Sequence, residues 1–365
     1  MMTDITIIGG GVVGLSIAHG LLKCGLNVTV VDGSDTDFRA SRGNFGLVWV
    51  QSKGLHHPEY AKWTQRAVSL YPDFVSRLEN EASTPISYER TGGYEYFLNE
   101  ESLEERASQF SDLRNKLNGD YPFEVFDQQR IRDEEPNIGP RVVGATYYPD
   151  DGHINPLQLL HALLISCKAM DLNHLTGVHL SNFNYNGDRF ALKLTDGRVI
   201  DTKRVVLAAG LGAKKLGPMF GFKGLVQPQR GQVLVSEKLP RVLNRPSLTL
   251  RQVNEGAIQI GDSKEDVGFD DHQTLDVTAR IAAKATAIMP SLSNVRLVRS
   301  WGALRVMSPD GLPIYQASSE FPGATLVTCH SGISLAAAHS ELLSRWILSS
   351  EGAPNLDYFG EKRFG

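Results

Sequence analysis

The fold is decided by residues 5–14, which read Ile5-Thr6-Ile7-Ile8-Gly9-Gly10-Gly11-Val12-Val13-Gly14. The first four residues form a short β-branched run, as a buried parallel strand requires. Apolar residues then recur at helical spacing over 15–23, and a second β-branched run over 27–31 ends at Asp32. This order of strand, G-x-G-x-x-G, helix, strand and acid predicts a dinucleotide-binding βαβ unit.

Each glycine of the motif has a physical task in such a unit. The first allows the tight turn, the second lets the backbone approach a pyrophosphate, and the third lets helix and strand pack closely. The phosphates lie on the free N–H groups and the positive dipole end of the helix. Cofactor contacts are therefore predicted at Gly9, Gly11, Val12, Val13 and Gly14.

Asp32 and Gly33 end the second strand of the unit. An acid at this place accepts hydrogen bonds from a ribose 2′-hydroxyl, which favours an unphosphorylated adenosine ribose over NADP. Taken without the motif, Asp32 is an ordinary residue of a turn that follows a strand.

Composition sets the limits of the remaining interpretation. A chain of 365 residues has the length of roughly two domains. Its 41% hydrophobic and 21% charged residues exclude disorder. The formal net charge of -4 provides no overall basic field, so nucleic acid is not predicted as a partner.

Cysteines and apolar runs restrict the location and the chemistry. Cys24, Cys167 and Cys329 are too few and too scattered for a disulfide framework or a four-cysteine metal site, and no metal is predicted. No uncharged apolar run reaches the length of a membrane span. Asp4 and the glycines at 9–11 interrupt any export signal, so a cytoplasmic protein is predicted.

The segment after Asp32 separates NAD from FAD. An NAD dehydrogenase would continue with further βαβ units, whereas residues 38–50 form a polar, glycine-containing loop that leads into an apolar strand. Here the chain resembles the D-amino-acid-oxidase-like family of flavoproteins, which includes glycine oxidase and sarcosine oxidase. The resemblance implies FAD as the cofactor. No Cys or His stands in the family's covalent-flavin context, so FAD is expected to be non-covalent; Cys329 alone leaves this open.

The resemblance also implies where FAD makes its contacts. Val178 is expected to be the backbone partner of adenine, and Ala209 and Gly210 to leave room for the phosphates. A helix that begins near Gly332 is expected to direct its N–H groups at the flavin, where they favour the charge of the reduced form. The remaining implied contacts are Arg39, Ser41, Arg42, Asn44, Phe45, Gly46, Arg305, Ser331, Ile333 and Ser334.

The implied fold class is α/β, with a Rossmann-type FAD-binding domain interleaved with an α+β substrate domain built on an antiparallel sheet. The FAD-binding domain is expected to comprise residues 1–54, 150–220 and 300–365. The substrate domain is expected to comprise residues 55–149 and 221–299. Periodicity predicts one long amphipathic helix over 58–81, a helix over 157–170 and a hairpin over 190–198, and His153 is predicted in a loop.

Two residues near the carboxyl end are the candidates for chemistry. Residues 301–313 resemble the glycine oxidase segment in which an arginine holds the substrate carboxylate, and that role falls on Arg305. A guanidinium suits a carboxylate because two parallel hydrogen bonds fix both position and orientation. His330 is a candidate acid or base, although a histidine more often packs. No side chain needs to act as a base if geometry and the cofactor carry the reaction.

A closer resemblance rests on residues 40–51, 259–266 and 361–365. These stretches are similar to the FAD-containing smaller subunit of bacterial opine (octopine/nopaline) and D-hydroxyproline dehydrogenases. This similarity implies oxidation of the C–N bond of an amino acid or opine-type secondary amine by hydride transfer to flavin N5. It implies a hetero-oligomer in which a larger subunit, or a small iron–sulfur subunit as well, accepts the electrons.

Gln259 bears on the electron acceptor. Sarcosine oxidase has at this position a lysine that promotes the reaction with O₂, and a neutral glutamine removes that electrostatic help. This favours a dehydrogenase, unless Lys264 folds back and supplies the charge. The alternatives are a free-standing glycine or D-amino-acid oxidase that makes H₂O₂, and a non-catalytic FAD electron-transfer subunit that would not need Arg305.

Overall fold

The computed structural model describes residues 2–261 and 263–365. Asp262, within the 259–266 stretch of the closer resemblance, lies outside the described residues. The largest sheet has eight strands: β1 (Met2–Ile8), β2 (Val28–Val31), β9 (Asn173–Leu175), β10 (Leu180–Tyr185), β11 (Phe190–Leu194), β12 (Val199–Leu207), β17 (Ile314–Ala317) and β18 (Ala324–Thr328).

The centre of this sheet is parallel, and the residues that pair there are buried. β1 lies between β12 and β2, with Ile7 paired with Val206 on one side and with Val30 on the other. The helix α1 (Val12–Lys23) connects β1 to β2 and packs against α6 (Pro156–Ala169). The predicted βαβ unit is therefore confirmed, and the antiparallel pair β11–β12 confirms the predicted hairpin.

Three smaller antiparallel sheets complete the β structure. One has four strands in the order β14-β15-β13-β16: β13 (Gln227–Lys238), β14 (Leu250–Gln252), β15 (Ala257–Ile260) and β16 (Leu297–Met307). The other two have three strands each: β3 (Leu47–Val48), β4 (Tyr88–Glu89) and β8 (Gly152–Ile154) in one, β5 (Gly93–Phe97), β6 (Glu124–Asp127) and β7 (Gly144–Tyr148) in the other. Parallel and antiparallel sheets in one chain agree with the predicted fold class.

The predicted helix over 58–81 is wrong in one respect, because two helices stand there. The first ends at Ser69 and the second begins at Tyr71, followed by Pro72. Proline lacks an N–H and its ring excludes a preceding helical turn, so it favours a helix start at this place. The other helices are α2 (Pro58–Ser69), α3 (Tyr71–Ala82), α4 (Glu100–Lys116), α5 (Gln128–Glu134), α7 (Ala213–Leu216), α8 (Leu275–Ile288), α9 (Ala336–Ala338) and α10 (Ser344–Ile347).

The residue boundaries of the two predicted domains remain a prediction, and two features bear on them. β16 crosses residue 300 as one continuous strand of the four-stranded sheet. Tyr60 and Trp63 of α2 lie in the same buried cluster as Ile5 and Ile7 of the parallel sheet. The helices after residue 55 therefore help to cover the large sheet.

The prediction that His153 lies in a loop is wrong. The residue is in β8, pairs with Leu47 and Glu89 in the sheet, and is only 4% exposed. Its Nδ1 lies 3.2 Å from Nη1 of Arg251, and its Nε2 lies 3.7 Å from Glu89. Three residues between Asp151 and Asn155 are too short a run to reveal a strand by periodicity.

Replacing His339 with glutamine is expected to reduce the acid sensitivity of the fold. His339 is fully buried, its Nε2 lies 2.9 Å from the Tyr315 hydroxyl, and burial lowers its pKa from 6.5 to about 3. The folded state therefore binds the proton more weakly than the unfolded state, so this contribution to stability is present above pH 6.5 and is lost as the pH falls toward 3. Between pH 7.5 and 4.5 the free energy of unfolding should fall by about 2–3 kcal/mol more in the wild type than in His339→Gln.

Urea unfolding at the two pH values measures the difference. His161→Gln serves as the control, because His161 is exposed on α6. Parallel pH profiles for the wild type and His339→Gln would show that His339 is not the source of the acid sensitivity.

Candidate active site

A cavity of about 1750 Å³ lies between the parallel sheet and the four-stranded sheet. Its lining comes from residues 8–15, 31–45, 174–181, 208–219 and 327–334, together with shorter segments that include 51–53, 231–233 and 303–306. Ligand pockets usually have about 300–1,000 Å³. The cavity therefore has room for a large cofactor together with a substrate.

The turn between β1 and α1 forms one end of the cavity. Gly9 has φ +114°, and a Cβ atom there would lie 2.4 Å from the carbonyl oxygen of Ala208. A Cβ on Gly14 would lie 1.9 Å from the carbonyl oxygen of Gly9. The tight turn and the close helix packing predicted for these two glycines are therefore required by the geometry.

Asp32 lies beside this turn and has two protein partners. Its Oδ1 accepts the Gly10 N–H at 3.0 Å, and its Oδ2 accepts Nη1 of Arg39 at 2.5 Å. Arg39 also donates to the carbonyl oxygens of Gly33 (2.8 Å) and Ser34 (2.7 Å). These five residues line the cavity, and each carboxylate oxygen of Asp32 keeps a second lone pair for a ligand hydroxyl.

The loop predicted to wrap the cofactor follows the cavity wall. The Val12 N–H at the start of α1 donates to the Ser41 hydroxyl at 3.0 Å. Trp301 on β16 donates its Nε1–H to the carbonyl oxygen of Gly43 at 3.1 Å. The loop therefore connects the phosphate end of the cavity to the four-stranded sheet. Arg42, Asn44 and Phe45 also line the cavity, whereas Gly46 is buried behind it against Arg251.

The adenine and phosphate contacts predicted after residue 170 lie on the same wall. Val178 is buried and its N–H donates to the carbonyl oxygen of Asp32 at 3.2 Å. Ala209 and Gly210 follow β12, and Gly210 has φ +54°. Val178, Ala209 and Gly210 line the cavity beside the β1–α1 turn. The fold therefore places them next to the glycine motif, from which they are far apart in the sequence.

The segment 331–334 lies at the other end of the cavity, where its serines have protein partners. Ser334 accepts the Trp49 N–H at 3.0 Å and donates to the carbonyl oxygen of Leu47 at 3.2 Å. A Cβ on Gly332 would lie 3.0 Å from Val13 at the start of α1. Regular helix begins at Ala336, later than predicted, although the Leu335 N–H already donates to Ser331 at 3.0 Å.

A short hydrogen-bond chain reaches His330. Tyr60 donates its hydroxyl proton to Ser331 at 2.9 Å, and the Ser331 hydroxyl lies 3.3 Å from Nδ1 of His330. Ser331 keeps both a proton and a lone pair for this contact, so the chain accommodates either tautomer of His330. Burial, and then the charges of Lys53, Arg305 and Lys264, lower the pKa of His330 well below its usual value. His330 is therefore neutral and a poor base.

Arg305 is placed on β16 directly across from Gln229 of β13. Its Nη1 donates to the carbonyl oxygens of Arg230 (3.1 Å) and Ser263 (2.8 Å). A Cβ on Gly231 would lie 2.5 Å from the Arg305 guanidinium, so a side chain there would displace the guanidinium from its position. Arg305 is half-buried and lines the cavity together with His330. The predicted substrate-binding arginine and the candidate acid or base therefore lie in one cavity.

Two cations of this region were missed by sequence reasoning. Lys53 lines the cavity, and Arg251 is a buried arginine whose Nε–H donates to the Gln259 side chain at 3.0 Å. The Arg251 guanidinium lies 5.7 Å from the ring centre of Phe45, which lines the cavity. Gln259 itself is neutral, but its side chain is hydrogen-bonded to the positively charged Arg251. The cross-strand register that pairs Arg251 with Gln259 has no local signal in the sequence.

The cavity wall fits a large polar cofactor. Four buried polar atoms on it have no hydrogen-bond partner among the described residues: Arg39 Nε, Trp49 Nε1, His174 Nε2 and Thr328 Oγ1. Each unpaired buried group costs about 1–3 kcal/mol. A ligand that pairs with them would offset that cost, and the glycine turn at 9–14 has the form that a dinucleotide pyrophosphate requires.

The comparisons with known proteins agree with this geometry. A family model described as FAD dependent oxidoreductase (DAO) matches residues 4–346. The chain is 40% identical to the B subunit of opine oxidase from Agrobacterium tumefaciens (strain Ach5) over 362 residues, which cover 99% of this chain and 97% of that protein. It is 39% identical to the corresponding opine oxidase protein of Rhizobium meliloti, with the same coverage.

The structural comparison supports the fold alone. The glycine oxidase of Geobacillus kaustophilus superposes with a TM-score of 0.90 at 21% identity, and 98% of each chain is covered.

In the part of the chain that the structure describes, no helix combines the length and apolar character needed to cross a membrane. The same residues contain no group of three or more side chains that could hold a metal ion.

The family match and the full-length similarity show that the chain belongs to the DAO family of FAD-dependent oxidoreductases, and FAD is its cofactor.

Proposed function

We propose that this protein oxidises the C–N bond of an amino acid or opine-type secondary amine, as the catalytic subunit of a hetero-oligomeric dehydrogenase. Arg305 and His330 line the same cavity as the glycine turn between β1 and α1, and this placement is the observation that carries the proposal. The similarity to two proteins named as the B subunit of opine oxidase supports both the substrate class and the presence of other subunits.

Arg305 is suited to hold the substrate carboxylate. Its hydrogen bonds to Arg230 and Ser263 fix the plane of the guanidinium. A planar guanidinium binds a carboxylate through two parallel N–H···O bonds, which orient the α-carbon as well as position it. When bound, FAD would supply the acceptor for the hydride of the α-C–H bond, and water would hydrolyse the imine that remains.

The amine must lose its proton before this oxidation, and the site favours that loss. Lys53, Lys264 and Arg305 all line the cavity, and nearby positive charges lower the pKa of a substrate ammonium. His330 is neutral and a poor base. The chain's own residues therefore bind and orient the substrate and favour its neutral amine, and the ammonium releases its proton to bulk water.

One observation favours a second candidate, a free-standing oxidase that forms H₂O₂. The argument for a dehydrogenase was the neutral Gln259, yet Lys53 and Lys264 line the cavity and Arg251 binds Gln259. Fixed cations stabilise the negative charge that develops when oxygen is reduced.

The remaining parts of the proposal concern the cofactor linkage, the partners and the location. Burial raises the pKa of the Cys329 thiol to about 12, so the group stays protonated and unreactive, which supports non-covalent FAD. We propose a larger subunit, with or without a small iron–sulfur subunit, as the electron acceptor. We propose the cytoplasm as the location.

Anaerobic mixing of the purified holoprotein with amino acids and secondary amino acids tests the function. We expect at least one secondary amine with a carboxylate on its α-carbon to bleach the flavin absorbance. Bleaching by dithionite but by no member of the panel would support the non-catalytic subunit instead. Stopped-flow mixing of the reduced protein with O₂ or an acceptor dye then separates the two candidates, since rapid formation of stoichiometric H₂O₂ would establish the oxidase.

A further inference from the structure

We propose that Phe38 and Phe269 form a gate over the mouth of the cavity, which sets the rate at which FAD enters and leaves. Phe38 belongs to the loop after β2, in the predicted FAD-binding domain. Phe269 belongs to the segment between β15 and α8, called here the strap (residues 263–274), in the predicted substrate domain. The inference does not depend on the proposed function, because it concerns the cofactor alone.

The two rings meet at the edge of the cavity. Their centres lie 5.6 Å apart, and their planes are tilted by 44°. Both side chains line the cavity, yet Phe38 is 42% and Phe269 is 50% exposed to solvent. A side chain that faces both the cavity and the solvent lies where the cavity opens. The ring pair therefore covers part of the mouth.

A third segment contacts the same pair. Lys214 of α7 also lines the cavity, and its Nζ lies 6.0 Å from the ring centre of Phe269, close enough for a cation–π contact. Lys214 follows the turn at Gly210, and Phe38 precedes Ser41, whose hydroxyl accepts a hydrogen bond from the start of α1. The gate therefore adjoins the part of the cavity that is predicted to hold the phosphates.

Buried Arg230 holds the base of the strap. Its guanidinium lies 2.7 Å from Glu265 and 2.7 Å from Asp270. The backbone N–H groups of Arg230 and Glu265 also donate to each other's carbonyl oxygens, at 2.9 and 3.0 Å. Residues 266–269 are therefore a short loop whose two ends are bound to one guanidinium. This loop is called here the tip of the strap.

The end of the tip that carries the ring has no such anchor. In the part of the chain that the structure describes, Val267, Gly268 and Phe269 make no hydrogen bond. Val267 is 40% exposed, and Gly268 has φ +68° with open space around it. The position of Phe269 thus depends on its contacts with Phe38 and Lys214. The tip can open while the base of the strap stays bound to Arg230.

A gate has a kinetic signature that a simple contact with FAD lacks. FAD passes the mouth in both directions, so a weaker ring pair speeds uptake and release by the same factor and leaves the dissociation constant unchanged. A ring that only touches bound FAD affects release alone. Loss of one aromatic pair changes an equilibrium about 2- to 12-fold, and this range sets the expected effect on both rates.

FAD exchange kinetics test the gate without any substrate. Rapid mixing of the apoprotein with FAD gives the uptake rate from the change in flavin fluorescence, and displacement of bound FAD by excess 5-deaza-FAD gives the release rate. Phe38→Ala and Phe269→Ala should each raise both rates about 2- to 12-fold and change the dissociation constant less than about threefold. The double variant should be no faster than the faster single variant, because either substitution already removes the pair.

Matched variants separate the ring pair from general effects of exposed side chains. Phe269→Tyr keeps the ring and should exchange FAD at nearly the wild-type rates. Leu157→Ala is the control, because Leu157 is 54% exposed on α6 and does not line the cavity. Thermal unfolding of each apoprotein reports whether it is folded, and Phe269→Leu is the smaller change if the alanine variant is not.

Three results would overturn the gate. Faster release with unchanged uptake would show that the rings only contact bound FAD. Unchanged rates in both single variants would show that neither ring restricts the mouth. Multiplied acceleration in the double variant would show that the two rings act separately rather than as a pair.

Discussion

Replacing Arg305 with lysine is expected to raise the dissociation constant of the reducing substrate by roughly 10- to 150-fold, or about 1.5–3 kcal/mol. Lysine keeps the positive charge but cannot form two parallel hydrogen bonds to one carboxylate. It also cannot donate to Arg230, Ser263 and the substrate with the same rigid plane. Anaerobic stopped-flow bleaching at increasing substrate concentration yields the dissociation constant and the rate of reduction separately.

The control for this variant lies on the same strand. Arg299 is exposed on β16, and its guanidinium lies 5.8 Å from the ring centre of Trp301. Arg299→Lys should leave both constants and the FAD content unchanged. If Arg305→Lys also binds and reduces normally, Arg305 serves only to brace the segment at 263 against β13, and the proposed role is wrong.

Substituting Gly14 with alanine is expected to abolish stoichiometric FAD binding. The new Cβ would lie 1.9 Å from the carbonyl oxygen of Gly9, a distance that no relaxation of a side chain can relieve. Helix α1 must then move away from β1, and the turn that carries Gly9 and Gly11 moves with it. The ratio of flavin to protein absorbance after purification, and FAD titration of the apoprotein, measure the effect.

Two further variants keep this prediction open to contradiction if Gly14→Ala fails to fold. Gly11→Ala meets only the Ser41 hydroxyl, at 3.0 Å, so it should weaken FAD binding with little loss of stability. Gly25 has φ +76° and open space around it, so Gly25→Ala should lower the free energy of unfolding by about 1 kcal/mol and leave FAD binding intact. Normal FAD content in both Gly14→Ala and Gly11→Ala would show that the turn does not bind the pyrophosphate.

The parts of the fold that the sequence predicts are those with a local cause. The βαβ unit depends on neighbouring residues between 5 and 32, and its glycines have visible tasks in the structure. The break at Leu70 also had a local signal in Pro72, which the amphipathic periodicity of the two helices concealed. Arg305 and His330 were predicted through resemblance, and their common cavity could not be inferred from spacing.

The residues that were missed depend on contacts between distant segments. Lys53 is placed by its neighbours Val50 and Gln51, which donate hydrogen bonds to Asp151, and Gln51 also accepts one from Thr146. Arg251 meets Gln259 only because β14 and β15 pair in one register. A lysine in a turn and an arginine in a short strand are usually solvated, so nothing in the local pattern separates these two from the other basic residues.

The cavity wall is assembled from segments that begin at residue 8 and end at residue 334. No fragment shorter than residues 8–334 contains the complete wall, so only the folded chain can bind the cofactor tightly. A ligand that binds the folded form alone stabilises it by about 4 kcal/mol when its concentration is a thousand times its dissociation constant. Bound FAD would thus hold distant parts of the chain together. A cell that runs short of riboflavin would lose the protein itself to proteolysis, and not merely its activity.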